Sequence, residues 1–238
     1  MLSLIGTAAT LWLALTGKLE LYIHPRYVPF TVSMALLAAA VSIAGFIMRQ
    51  ERSEDPGHPD AGVPVPGRLR AAGSLLMVTA AVLGLLILPP SPLTAEAANH
   101  RDLNRSGTLS RHQTSDLLRN DPGTFTLRDW ASLLRYSPDA SYFADKKPTV
   151  TGFITADPQD PTNVFYVTRF VVSCCTVDAQ PVGVPVRAPG WQTQFKTGNW
   201  VAATGGFGPN PNPESTNPIL LTDAQITPTT EPERPYLH

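Results

Sequence analysis

Val164-Phe165-Tyr166-Val167-Thr168-Arg169-Phe170-Val171-Val172-Ser173-Cys174 is a run of β-branched and aromatic residues with turn formers on either side. Such side chains suit a pleated, packed surface, and the run predicts a strand from Val164 to Cys174. Outward from it, Thr149 to Thr155, Val182 to Arg187, Trp200 to Gly205 and Ile219 to Ile226 read as four more strands. Asp157-Pro158, Asp160-Pro161, Pro189-Gly190 and the proline-asparagine run from Gly208 separate them as turns. Gly152 and Gly206 stand where a small barrel needs tight curvature. The expectation is an all-β C-terminal domain over residues 148–238, a five-stranded OB-like barrel. A sandwich fragment is the alternative, but five strands close more naturally than they stack.

Upstream the composition changes. Mean hydropathy over the 238 residues is -0.02, an average that hides long apolar runs before residue 92. Val28 to Met48 carries no charge and is long enough to cross a bilayer as a helix. Ala71 to Leu88 is a second uncharged run, stopped by Pro89 and Pro90. Leu2 to Thr16 is apolar but short. With Lys18 at the interface it reads as a first span reaching Ile23; a signal peptide fits less well, because it lacks a basic start and a small-residue cleavage site. Three transmembrane helices are therefore expected, at about 2–23, 28–48 and 71–88.

Arg49, Arg52, Arg68 and Arg70 lie between the second and third segments, against Lys18 and Arg26 between the first and second. The positive-inside rule puts loop 49–70 and the N-terminus in the cytoplasm, and the C-terminal domain on the extracytoplasmic side of a multi-pass plasma-membrane protein. Tyr22-Ile23-His24-Pro25-Arg26-Tyr27 suits a membrane interface. His24 and Arg26 are also candidates for contact with a partner or substrate. Nucleic acid is excluded as a partner. The net charge is -1, and residues 92–238 hold 12 basic and 14 acidic side chains, so no basic surface awaits phosphates.

Residues 92–147 read as a polar exterior linker with one short helix near 127–136. Thr126 and Asp129 form its capping signal, and Trp130, Leu133 and Leu134 a stripe that must pack on the following domain. Asp102, Asn104, Ser106, Gly107 and Thr108 match the opening of a calcium loop. The twelfth position holds Gln113 instead of a bidentate carboxylate, so calcium is not assigned. There is no Ser/His/Asp set, paired-carboxylate signature or phosphate-cradling glycine loop, and the chain is not expected to be an enzyme.

Cys174 and Cys175 are the chain's two cysteines, and they are adjacent. Consecutive strand residues face opposite ways, so the two sulfurs act together only at a strand end or bulge. Three fates stay open. A vicinal disulfide would be strained, because neighbouring Cα atoms sit only about 3.8 Å apart. Two thiolates with Asp178 would suit Zn or Cu(I), with a further ligand from a partner, His24 or His100. A buried or partner-facing structural pair is the third. Arg169 is a candidate partner- or substrate-binding residue, or a salt-bridge partner for Asp178.

The run Arg169-Phe170-Val171-Val172-Ser173-Cys174-Cys175, followed by Asp178-Ala179 and Pro181-Val182-Gly183, resembles the YcgQ-like family of bacterial membrane proteins. Tyr22 to Arg26 is similar to that family's first loop, and the segment from Trp200 to Pro235-Tyr236-Leu237 is similar as well. Asp145-Lys146-Lys147 and Thr176-Val177 depart from the family pattern. The resemblance implies an accessory subunit of a two-component permease complex, whose partner is a larger multi-helix permease subunit. A membrane-tethered metal- or thiol-handling protein acting through Cys174 and Cys175 is the alternative.

Overall fold

The structure, a computed structural model, describes residues 2–51, 76, 79–80, 83–84, 90–136 and 140–238. The chain divides into two compact units, Met1–Ser91 and Pro92–His238.

In the first unit α1 (Leu2–Leu15) and α2 (Val28–Glu51) are joined through 3-10 turns at Lys18–Leu21 and Pro25–Tyr27. The two helices run antiparallel, with the Ser3 hydroxyl 2.8 Å from that of Ser42. The first helix does not reach Ile23. Gly17 takes a left-handed φ of 72° and ends it. At 14 residues α1 spans about 21 Å, short of a hydrocarbon core of about 30 Å. Among the described residues one helix, Pro25–Met48, is long and apolar enough to cross a membrane. Phe30, Leu37, Val41 and Phe46 on it are exposed. A membrane anchor and a signal sequence both have this length and composition. The expected three spans are thus reduced to one candidate. The third, 71–88, lies outside the described residues except for Leu76, Thr79, Ala80, Leu83 and Gly84, which are helical. Most of loop 49–70 lies outside them too.

In the second unit the five expected strands form a closed barrel. β1 (Thr149–Ala156), β2 (Val164–Val171), β3 (Gln180–Arg187), β4 (Trp200–Pro209) and β5 (Ile219–Pro228) follow the order β1-β2-β3-β5-β4. β4 returns to pair with β1. The β3–β5 contact, at Val186 and Leu221, is parallel, and the other pairings are antiparallel. Phe165, Val167 and Val171 of β2 join Val182, Val184 and Val186 of β3 in the main core. Phe170 of β2 enters a second cluster with Phe153, Val172, Ala95, Ala98 and Tyr236. Both faces of β2 are covered, which is why its sequence is an almost continuous apolar run.

Curvature falls at glycines, though not at both of those expected. A Cβ on Gly152 would stand 2.4 Å from the Thr168 carbonyl oxygen, so β1 and β2 approach closely only because no side chain is there. On β4 the tight position is Gly205, whose Cβ would meet the Thr222 carbonyl at 2.6 Å, beside the bulge between Thr204 and Gly206. Gly206 itself faces open space.

The segment expected as a linker is part of the domain. α3 (Ala95–Asn99), α4 (Arg111–Leu117) and α5 (Leu127–Tyr136) punctuate it. The Thr126–Asp129 capping box forms as expected. Thr126 N–H donates to Asp129 Oδ2 at 2.8 Å, and Asp129 N–H to Thr126 Oγ1 at 3.3 Å. Trp130 and Leu133 then enter the main core, where Trp130 packs on Phe207 of β4 at 5.3 Å. Gln113 is not a calcium position: it closes the Ser110 capping box that starts α4. Asn104, in the left-handed region at φ 59°, pairs both ends of its side-chain amide with the Gly183 backbone at 2.8 Å. That pairing covers β3 edge groups that β5 does not reach.

Tyr166 is 6% exposed, and burial, then the Asp157 carboxylate, push its phenol up to about 12. The Asn217 side-chain amide, donating to the phenol oxygen at 2.5 Å, works the other way. Unfolded tyrosine titrates near 10. The folded state therefore holds a proton that the unfolded chain loses, and stability present below about pH 10 falls as pH rises towards about 12. Urea unfolding midpoints should show this decline, and Tyr166→Phe should flatten it.

Candidate functional site: the adjacent-cysteine turn

β2 ends at Val171, three residues before the strand expected to include Cys174. Both cysteines therefore sit in the β2–β3 connection, the kind of strand end that allows them to act together. Asp178 builds this turn. Its Oδ2 accepts from Cys174 N–H at 2.7 Å, its Oδ1 from Ser173 N–H at 3.2 Å, and its own N–H donates to the Cys175 carbonyl at 3.0 Å. An Asx side chain folding back on preceding amides is a turn-forming device.

One arginine braces the turn, and a second ties the end of β2 to the C-terminal tail. Arg101, from the segment after α3, donates to the Ala179 and Thr176 carbonyls and places its guanidinium 5.8 Å from the Phe170 ring centre. Arg169 makes no ion pair with Asp178, contrary to expectation. It donates through Nε to the Pro235 carbonyl at 2.9 Å and through its other arm to the Arg234 carbonyl. Burial pushes its guanidinium down. Salt-bridge formation lost here because Asp178 is turned onto the backbone amides, while the C-terminal tail offers Arg169 two carbonyls.

That tail extends the end of β2. Leu237 N–H donates to the Phe170 carbonyl at 2.8 Å, and Val172 N–H to the Leu237 carbonyl at 3.0 Å. Tyr236 is buried against Phe170, and its hydroxyl accepts from Leu93 N–H at 2.7 Å. Sequence reasoning missed this tie between the domain's first residues, its tail and the cysteine turn. The signals were Arg101, Tyr236 and the Pro235-Tyr236-Leu237 ending, none of which has a local periodicity to betray it.

Cys174 and Cys175 are both free thiols, the first exposed and the second half-buried. Desolvation within the turn, then the Cys175 thiol and the Asp178 carboxylate, push the Cys174 thiol up. A thiol held protonated is a poorer nucleophile and metal ligand at neutral pH. Among the described residues no three His, Cys, Asp or Glu side chains are grouped to hold a metal ion. Within the turn both Asp178 oxygens already accept backbone amides, so its carboxylate serves first to shape the chain around Cys174 and Cys175. Native-state alkylation should modify Cys174 before Cys175. Its rate should keep rising into alkaline pH beyond the midpoint of a free cysteine, as read by mass spectrometry of the labelled peptide.

In the first unit His24 caps a turn, its Nδ1 accepting from Arg26 N–H at 3.1 Å, and its ring meets Tyr27 edge-on at 6.2 Å. Arg26 is exposed and lies 5.9 Å from the Tyr27 ring centre.

An apolar helical unit followed by a closed five-stranded barrel, with adjacent free cysteines at the β2–β3 connection, defines the class. The chain belongs to the DUF1980 family: the DUF1980 N-terminal domain matches residues 1–104 and the DUF1980 C-terminal domain residues 96–238. No curated protein and no solved structure matches it.

Proposed function

We propose that the chain is the accessory subunit of a membrane permease complex, as its YcgQ-like resemblance implies. In this reading the N-terminal unit sits in the plasma membrane beside a multi-helix permease subunit, and an extracytoplasmic OB-like barrel contacts that partner or its substrate. The carrying observation is α2, an apolar helix of bilayer length whose large side chains face outward. The strand order and the parallel β3–β5 contact support the OB-like assignment. Oligonucleotide binding on β2 is disfavoured, because Tyr166, Thr168 and Phe170 are already buried by the chain itself. The rigid, solvent-facing cysteine turn is the surface we assign to partner contact. A metal- or thiol-handling role has less behind it, given the raised Cys174 thiol and the engaged Asp178.

Co-expression with a multi-helix permease subunit of the kind the resemblance implies, followed by extraction in mild detergent, tests the reading. The two should purify together. A stable, monodisperse preparation of this chain that leaves the permease behind would overturn it.

A further inference from the structure

Among the described residues of the barrel unit, two clefts bear on ligand binding. One, of about 570 Å³, lies beside Trp130 and carries Asp121, Asp145, Lys146 and Lys147, with the Lys146 ammonium already 3.8 Å from the Tyr142 ring centre. Its charges neutralise one another. The other, of about 520 Å³, is formed by α3, the start of β4 and the segment leading to the C-terminal tail. Phe153 and Trp200, edge to face at 5.8 Å, contribute its aromatic lining, and Leu93 adds to the apolar part. Its charged lining residues are Glu96 and Glu231, and no Lys, Arg or His lines it. Neither glutamate has an ion-pair partner among the described residues.

We infer that this second cleft binds an organic ammonium ion, of the polyamine or quaternary-amine class. A Trp ring attracts such a cation through its quadrupole, more strongly where the cation is partly desolvated. Glu96 and Glu231 supply the opposing charge, one from each side of the sequence that encloses the barrel. The volume lies within the range of small-ligand sites and admits a polyamine chain or a trimethylammonium head. Partial desolvation raises the Glu231 carboxyl, and a cation beside it would favour its charged form. The cleft beside Trp130, with cations of its own, has no such complementarity. This site stands apart from the subunit reading, since the chain alone carries all its parts.

Full-length protein in a non-ionic detergent, titrated calorimetrically at low ionic strength with spermidine and separately with tetramethylammonium chloride, tests it. Saturable binding of both is expected. The double variant Glu96→Gln, Glu231→Gln should weaken spermidine binding by about tenfold or more. Trp200→Leu should weaken tetramethylammonium most, and Glu214→Gln, outside the cleft, should change neither. Both glutamates are exposed and the Gln replacements keep volume, so the double variant decides even if Trp200→Leu fails to fold. No saturable binding up to about 10 mM, unchanged affinity in the double variant, or magnesium chloride displacing spermidine as well as tetramethylammonium does would each overturn the inference.

Discussion

Phe170→Ala is expected to lower the stability of the barrel unit by about 3–5 kcal/mol, the range for removing a fully buried aromatic ring. Phe170 is 0% exposed and stands where four separate parts of the chain meet. Phe153 of β1 lies 5.6 Å away, Tyr236 of the tail 6.4 Å, and the Arg101 guanidinium 5.8 Å. Ala95 and Ala98 of α3 share the same cluster. Losing the ring thus removes the common surface on which the tail, the domain's first residues and the brace of the cysteine turn rest. Two readouts should move together. Thermal unfolding should shift down by about 2–4 °C per kcal/mol, and limited proteolysis should cut the C-terminal tail under conditions where the parent chain resists. A destabilised variant with a still-protected tail would show that the backbone bonds of Leu237 hold it without Tyr236 and Phe170.

Trp130→Ala carries a second effect of the same size, about 3–5 kcal/mol. Trp130 is 2% exposed and touches Phe125 at 5.1 Å and Phe207 at 5.3 Å, joining α5 to β4 through the main core. Arg128 of the same helix donates to the Gly107 carbonyl at 2.8 Å, and the Ser132 hydroxyl accepts from Leu109 N–H at 2.9 Å. The segment that covers the β3 edge is therefore hung on α5. Truncating Trp130 should loosen residues 104–109 as well as the helix, seen as faster amide exchange at Leu109 and Gly183. If exchange there stays slow while stability falls, Asn104 alone secures that edge.

The barrel was legible because its strands carry the period and β-branched content that a pleated core demands, and its turns carry Pro, Gly and Asn at the required places. The helix at Leu127–Tyr136 was legible for the same kind of reason: a capping box followed by an apolar stripe. What could not be read was tertiary in origin. Residues 92–126 look like a polar linker because their attachment is made by single side chains, Asn104 on Gly183 and Arg101 on Ala179, which leave no periodic trace. Arg169 was placed on the correct strand but given the wrong partner, since nothing local says that residues 234 and 235 return to β2. The first apolar segment overran because Gly17, in a left-handed turn, ends the helix earlier than hydropathy alone suggests.

The exterior placement of the barrel is the claim on which the subunit reading rests, and the chain carries its own reporter. Its two cysteines are adjacent, and Cys174 is exposed. Intact cells expressing the chain, treated at mildly alkaline pH with a membrane-impermeant maleimide, should label it as fully as cells permeabilised first. Label that appears only after permeabilisation would place the barrel in the cytoplasm and contradict the proposed arrangement.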